Sequence, residues 1–226
     1  MRLVTLSFAG GNRYSFGFMR DLLPKQVELL PLESPGRGMR MYDALISDIH
    51  LLADDIFNQL QQLDDDSYIL LGDCVGALLA FLVTRKLAQE SKNLPSKLIV
   101  SGCPAPVLFR EKKETVLKED EMKERLISFG TDPVLIAHKG FYEMLEPIMR
   151  ADFQAFNEYI YKKESLLPIP ITVLTQQQSL LKEETMLWQK ESRFPLATIP
   201  IKGPLKNSAN EIASLFQEAF SNVSAH

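Results

Sequence analysis

The chain has 226 residues, of which 46% are hydrophobic and 24% charged, and its formal net charge is −4. This length and composition predict a single globular domain over 1–226 with a sizeable core. The mild acidity and the lack of a basic block in the sequence argue against a nucleic-acid-binding surface. Two cysteines, Cys74 and Cys103, are too few for a disulfide framework, so a reducing cytoplasm is the expected compartment. The apolar N-terminal run is too short for a signal sequence or a membrane span.

Short apolar runs alternate with longer helical patterns along most of the chain. This alternation is typical of an α/β protein, with a mostly parallel twisted sheet and helices on both of its faces. The predicted strands are Leu3–Phe8, Val27–Leu32, Tyr68–Gly72, Lys97–Ser101, Ile171–Thr175 and Ala197–Ile201. Apolar residues at helical spacing predict the helices Tyr42–Leu63, Gly76–Glu90 and Asn210–Asn222.

The stretch from about 104 to 167 interrupts this alternation. It contains a charge-rich segment, Glu111–Arg125, and a helical pattern, Met144–Tyr161, but no predicted strand. Helices inserted between two strands of such a sheet often form a lid over the site at the strand ends. Packing helices with a solvated charged face would produce the same pattern, so both interpretations stand.

The segment Gly72-Asp73-Cys74-Val75-Gly76 lies between a predicted strand and a predicted helix. Its spacing is that of a nucleophile elbow, G-x-S-x-G, with cysteine in the serine position. The pattern predicts acyl chemistry with Cys74 as nucleophile and the Val75 N–H as one donor to the oxyanion. The helix N-terminus favours the Cys74 thiolate, whereas the charge of Asp73 disfavours it. The structural alternative for Cys74 is a small buried residue in a tight turn.

A second oxyanion donor is expected from the loop after the first predicted strand, Phe8-Ala9-Gly10-Gly11, which brings bare backbone close to the elbow. A plain strand-to-helix turn is the alternative for this loop.

Four stretches in this order together resemble the type II thioesterases, which are stand-alone α/β hydrolases of nonribosomal peptide and polyketide synthesis. They are Phe8–Gly11, Pro35-Gly36-Arg37-Gly38, the elbow with the helix that follows it, and Arg150-Ala151-Asp152-Phe153. The resemblance implies the α/β-hydrolase fold with an inserted helical lid and a monomeric protein. It implies a substrate acyl or aminoacyl group on the phosphopantetheine arm of a carrier protein, with no cofactor bound by the chain itself. It places Cys74 at the nucleophile and Ala9 and Val75 at the oxyanion donors.

The sequence departs from this family where the catalytic triad is expected. The elbow of the family usually has the sequence Gly-His-Ser-Met-Gly, so Asp73, Cys74 and Val75 all differ from it. The catalytic aspartate is expected where this chain has Gln176-Gln177-Gln178-Ser179, and the catalytic histidine where it has Lys202-Gly203-Pro204-Leu205. Neither partner of the triad is therefore visible in the sequence.

Three side chains are candidates for accessory roles, namely Asp73, His138 and Asp152. His138 belongs to the inserted helices and could hang over the site, while Asp152 could face the pocket or form a salt bridge from a lid helix. Of the other histidines, His50 is expected on a helix surface and His226 is the terminal residue. Cys103 follows the strand next to the elbow strand, which places it near Cys74 or simply in the core. The sequence contains no metal-ligand spacing with enough partners for a site.

The sequence is compatible with three functions. In the first, Cys74 takes acyl groups from a carrier protein and passes them to another thiol or amine. In the second, the protein is a non-catalytic relative that binds an acyl chain or a carrier protein. In the third, the pocket serves cyclisation or elimination on a tethered intermediate, with Asp73 or Asp152 as general base. Neither the acyl group nor the pathway can be read from the residues, and no membrane or nucleic-acid partner is expected.

Overall fold

The protein is built on a six-stranded sheet. The structure is a computed structural model, and it describes residues 1–63, 67–111, 118–128, 131–176 and 182–221. All neighbouring strands are parallel, and their order is β2-β1-β3-β4-β5-β6. The strands are β1 (Arg2–Leu6), β2 (Glu28–Pro31), β3 (Tyr68–Asp73), β4 (Lys97–Ser101), β5 (Ile171–Gln176) and β6 (Ala197–Ile201). All six predicted strands are confirmed, and two of them match residue for residue.

The α-helices of the described residues lie between and after these strands. They are α1 (Ile49–Gln61), α2 (Val75–Gln89), α3 (Glu119–Ser128), α4 (Pro133–Ala137), α5 (Lys139–Asn157), α6 (Lys182–Met186) and α7 (Ala209–Ser221). None of these helices is both long enough and apolar enough to cross a bilayer.

Both faces of the sheet are covered, as the sequence predicts. Strand side chains alternate between the two faces, so Val4 and Leu70 pack in one buried cluster with α1 and α2. Leu3 and Ile69 pack in a second cluster with α7 on the opposite face. The near-continuous apolar strands are the consequence of burial on both sides.

Two helices differ from their predicted bounds by several residues, whereas the helices after β3 and β6 each begin one residue earlier than predicted. The first helix begins at Ile49 instead of Tyr42, because the Asp48 side chain accepts hydrogen bonds from the N–H groups of His50 and Leu51 and so caps the helix there. The second, α5, covers Lys139–Asn157 where the pattern predicts Met144–Tyr161. The predicted bound Asn222, His226 and the segment 112–117 lie outside the described residues.

The inserted helices α3, α4 and α5 follow β4 and precede β5. Buried side chains of α3 and α5, among them Met122 and Leu145, belong to the same core cluster as Cys74. A Cβ placed on Gly10 would lie 2.5 Å from the Met149 Sδ and 3.2 Å from a Leu145 methyl carbon. The middle of α5 therefore packs directly on the loop that follows β1.

The strand order reverses between β1 and β3, since β2 lies on the far side of β1. In open parallel sheets, ligands bind outside the carboxyl ends of the strands at such a switch point. The loop Phe8–Gly11 follows β1 and Cys74 follows β3, so both lie at this point.

Candidate active site

Cys74 occupies a sharp turn between β3 and α2. Its backbone has φ 53° and ψ −117°, and it is the N-cap residue of α2. This backbone conformation costs a residue other than glycine about 1–3 kcal/mol, and it persists only where the surrounding structure imposes it. Here the Cys74 N–H donates to the Ser101 carbonyl oxygen at 2.9 Å, which ties the turn to the end of β4. The backbone thus has the shape that the elbow spacing predicts.

The elbow depends on close approach of backbone to backbone. A Cβ on Gly76 would lie 2.2 Å from the carbonyl oxygen of Leu6, and one on Gly72 would lie 2.2 Å from the carbonyl oxygen of Gly76. Only glycine lets α2 pack this closely against β1 and β3. This packing brings the N-terminus of α2 beside the loop that follows β1.

The backbone N–H groups of Ala9 and Val75 both interact with the Cys74 thiol. Each acts on the sulfur as a hydrogen-bond donor and so lowers the pKa of the thiol. Ala9 is fully buried in the turn after β1, and Val75 is the first residue of α2. Two donors converging on a nucleophile position are suited to hold an oxyanion that forms there.

Burial nevertheless dominates the ionisation of Cys74. It raises the pKa of the thiol to about 12, with a smaller contribution in the same direction from the charge of Asp73. The two N–H donors and the more distant Arg125 lower this pKa only in part. Because burial outweighs the favourable helix N-terminus, the thiol is protonated at neutral pH.

Asp73 is buried beside Cys74, and this burial raises the pKa of its carboxyl to about 6. Hydrogen bonds from the Ser101 side chain and the Cys74 N–H act in the opposite direction and lower the pKa, but burial is the larger effect. A Cβ on Gly102 would lie 2.9 Å from the Asp73 Oδ1 and 3.6 Å from the Cys74 backbone nitrogen. Asp73 also lines a cavity of about 280 Å³ whose other walls include Phe8, Tyr14 and Pro204.

The raised pKa of Asp73 has a consequence for stability. The Asp73 carboxyl binds its proton more tightly in the folded than in the unfolded protein. The free energy of unfolding therefore falls as pH rises from 3.8 towards about 6, and above that range the total loss is about 3 kcal/mol. Asp73→Asn is therefore expected to raise the melting temperature by several degrees at pH 7.5 and by about a third as much at pH 4.5. Thermal unfolding at the two pH values measures this; an equal effect at both would contradict it.

The structure places the expected triad positions as follows. Pro204, where the family has its histidine, follows β6 and lines the same small cavity as Asp73. Gln176 ends β5, and 177–179 lie outside the described residues. His138 is exposed at the N-terminus of α5, where its Nδ1 accepts a hydrogen bond from the Phe141 N–H at 3.4 Å.

His138 is thus a helix cap, and the described contacts do not bring it to Cys74. His50 is exposed in the first turn of α1, with its ring 6.0 Å from that of Tyr159. Cys103, in contrast, lies close enough to Cys74 and Asp73 for their charges to raise the pKa of its thiol, although burial is the larger cause.

Asp152 forms a buried ion pair that the sequence offers only as one of two alternatives. Its carboxylate accepts two hydrogen bonds from the Arg37 guanidinium, at 2.6 and 2.7 Å, and a third from the Gly10 N–H at 2.8 Å. Both side chains are at least 95% buried, with exposed fractions of 5% for Arg37 and 3% for Asp152. The pair joins the inserted helix α5 to the loop that carries Ala9.

All four stretches that carry the family resemblance therefore meet at one place. Arg37 and Asp152 come from two of them and bind a third: Asp152 accepts from the Gly10 N–H, and Arg37 donates to the Gly11 carbonyl oxygen. Gly76 of the elbow packs on the end of β1 just before that loop. The sequence shows their order but not this convergence. Asp152 faces the ion pair and not an open pocket.

A larger cavity of about 670 Å³ lies between the β1 loop and the inserted helices. Phe8, Gly10 and Gly11 form its floor, and its walls are mainly apolar side chains, namely Leu45, Leu126, Phe141, Met144, Leu145 and Ile148. Such a concave and largely apolar space is typical of a small-molecule site. In the part of the chain that the structure describes, no group of three or more His, Cys, Asp or Glu side chains could hold a metal ion.

The parallel sheet, the switch-point site and the elbow define this protein as an α/β hydrolase by fold. A sequence profile of the family described as "Thioesterase domain" matches residues 1–205. The chain belongs to this family, and within it to the type II thioesterases.

Two curated proteins and one solved structure illustrate the similarity. The gramicidin S biosynthesis protein GrsT of Aneurinibacillus migulanus is 29% identical over 174 residues, covering 76% of this chain and 68% of that protein. The probable anguibactin biosynthesis thioesterase AngT of Vibrio anguillarum is 31% identical over 185 residues, covering 77% and 72%. The type II thioesterase BorB from the borrelidin biosynthetic cluster superimposes with a TM-score of 0.85 at 26% identity, covering 96% of this chain and 91% of that one.

Proposed function

We propose that this protein acts in nonribosomal peptide or polyketide synthesis, where Cys74 accepts an acyl or aminoacyl group from the phosphopantetheine arm of a carrier protein. The proposal rests chiefly on one observation: the Cys74 thiol stands at the elbow with the N–H groups of Ala9 and Val75 directed at it. The relatives named above supply the class of partner, a carrier protein of such a synthase.

Transfer suits this site better than hydrolysis. Exchange of one thioester for another is close to thermoneutral, because the bond that forms is of the same kind as the bond that breaks. In the family a histidine activates the water for hydrolysis, and Pro204 at that position cannot accept a proton. A serine would lose several orders of magnitude without its base, whereas a thiol is intrinsically more nucleophilic. The acyl group on Cys74 therefore passes to another thiol or an amine.

The 670 Å³ cavity favours an uncharged, apolar acyl group. The charged side chains in its wall are already paired: Arg37 with Asp152, and Asp43 with Arg40 at 2.7 Å. A charged acyl group would lose hydration there without gaining a new partner. Apolar walls, in contrast, gain about 25 cal/mol for each Å² of acyl surface that they bury.

Mass spectrometry of the intact protein tests this proposal. After incubation with an acyl-loaded carrier protein or an acyl-pantetheine thioester, the wild type is expected to gain the mass of one acyl group. Cys74→Ala is expected to gain none, and Cys74→Ser is expected to react at least about 100-fold more slowly, because a hydroxyl is intrinsically a much weaker nucleophile than a thiol. The matched control is Cys103→Ala, which removes the other thiol and should leave the adduct intact.

A non-catalytic binding role is the second candidate, and the raised pKa of the Cys74 thiol favours it. In that case the same incubation yields no adduct on the wild type and no loss of acyl group from the carrier. The acyl carrier would still raise the melting temperature of the protein by binding its folded state. An adduct that persists in Cys74→Ala would contradict both candidates.

A further inference from the structure

A protonated thiol needs a proton acceptor before it can attack a thioester. The Cys74 thiol is protonated at neutral pH, and neither histidine of the described residues forms a described hydrogen bond with it. The titratable groups near it come from several elements. Asp73 precedes it in the elbow, Cys103 follows β4, Arg125 acts from α3, and Tyr14 and Lys206 line the cavity beside Asp73.

Geometry separates the two carboxylates that the sequence leaves open as general bases. Asp152 is held by two hydrogen bonds from Arg37 and one from Gly10, so its oxygens are committed. Asp73 has no ion-pair partner among the described residues, and it lines the cavity of about 280 Å³. That cavity is bounded by Pro204, which stands at the position where the family has its histidine.

We propose that Asp73 is the general base of this site, taking the place of the missing histidine. This inference rests on the proposed acyl transfer to Cys74. As the sulfur of Cys74 forms its bond to the thioester carbonyl carbon, the thiol proton passes to the Asp73 carboxylate. When the bond between that carbon and the pantetheine sulfur breaks, Asp73 returns the proton to the departing pantetheine thiolate. No oxidant, reductant or metal takes part, and one thiol is exchanged for another.

The environment of Asp73 suits this cycle. Because burial raises the pKa of its carboxyl to about 6, the group is mainly ionised at neutral pH and is a stronger base than an ordinary carboxylate. General bases work best when their pKa lies near the working pH. The proton moves as the carbon–sulfur bond forms, since the thiol pKa of about 12 excludes a free thiolate as a lasting intermediate.

Asp73→Asn tests the inference through two rates that are expected to change in opposite directions. The first is acylation of Cys74 by an acyl-pantetheine thioester at pH 7.5, which should fall by at least about 100-fold. The second is alkylation of Cys74 by iodoacetamide at pH 8.5, which should rise, because loss of the Asp73 charge lowers the pKa of the thiol and increases its thiolate fraction. A purely electrostatic role for Asp73 would speed both reactions, and that outcome would overturn the proposal.

The pH dependence of acylation gives a second readout. In the wild type the rate should rise through about pH 6 as Asp73 ionises and then level off. In Asp73→Asn this step should vanish, leaving a rate that grows about tenfold for each pH unit with the thiolate fraction. Asp73→Glu, which keeps a carboxylate, should recover part of the acylation rate and the step near neutral pH.

Failure of this inference differs from failure of the proposed function. A wild type that forms no acyl adduct contradicts the transfer reaction itself. A wild type that forms the adduct, beside an Asp73→Asn variant that acylates at the same rate with the same pH profile, contradicts only the role of Asp73. Circular dichroism and the melting temperature of the variant show whether its fold is retained.

Discussion

Asp152→Asn is expected to lower the free energy of unfolding by about 3–5 kcal/mol, because it leaves the buried Arg37 guanidinium without its counter-charge. Asparagine has nearly the same shape as aspartate and can still accept a hydrogen bond from the Gly10 N–H. The loss therefore comes from the unpaired charge and not from a cavity. Urea unfolding monitored by tryptophan fluorescence or circular dichroism measures it.

The same helix supplies the matched control. Arg150 and Glu146 also form an ion pair at 2.6 Å, but their side chains are 46% and 34% exposed. Glu146→Gln is expected to cost less than about 1 kcal/mol, since water solvates both charges and screens their attraction. Equal losses for the buried and the exposed pair would contradict the explanation by burial.

A double variant tests whether the stability lost in Asp152→Asn comes from the unpaired charge of Arg37. Arg37→Leu combined with Asp152→Asn removes the charge that the single change leaves unpaired, so it should recover a substantial part of the stability lost in Asp152→Asn. Asp152→Asn is also expected to slow acylation of Cys74, because Asp152 positions the loop that carries the Ala9 N–H. Additive losses in the double variant would show that the two residues act independently.

Gly76→Ala is expected to cost more than about 4 kcal/mol, and expression of folded protein should fall sharply. The new Cβ would lie 2.2 Å from the Leu6 carbonyl oxygen and 2.6 Å from that of Ser7. Both contacts are backbone atoms at or just after the end of β1, so neither can move aside as a flexible side chain could. Relief requires α2 to shift away from the sheet, which breaks core contacts and displaces Cys74.

Gly17→Ala is the control for this change. A Cβ on Gly17 would meet no atom within 4 Å, and its φ is not in the left-handed region. The expected change in unfolding free energy is within about 1 kcal/mol. Urea unfolding or melting temperatures of the two variants, prepared in parallel, compare them; a Gly76→Ala protein as stable as Gly17→Ala would contradict the close packing at the elbow.

Asp73 shows how stability and function can oppose each other at one residue. Burying its carboxylate costs the folded state about 3 kcal/mol above pH 6, and no described ion-pair partner offsets this. A residue retained for structure alone would be expected to contribute stability. The cost is consistent with the proposed role in proton transfer, since active sites commonly keep groups that destabilise the fold.

The sequence by itself determined the sheet and the elbow. Strands such as Lys97–Ser101 are recognisable because residues buried on both faces of a sheet must be apolar. The elbow is recognisable because its glycines stand where a Cβ would clash with neighbouring backbone. The start of the first helix was predicted too early, at Tyr42, because apolar residues at helical spacing also occur before Asp48, whose side chain caps α1. The accessory role considered for His138 had no local signal against it, because a capping histidine and a catalytic one look alike in sequence.

Only the tertiary structure decided which polar groups share a site and how each one ionises. Arg37 and Asp152 are 115 residues apart, and no local pattern states that they meet over Gly10. Asp73 adjoins Cys74 in sequence, yet its raised pKa and its place in the cavity with Pro204 follow from burial by distant segments. The physical reason is that a backbone turn depends on neighbours along the chain, whereas solvation and charge pairing depend on neighbours in space.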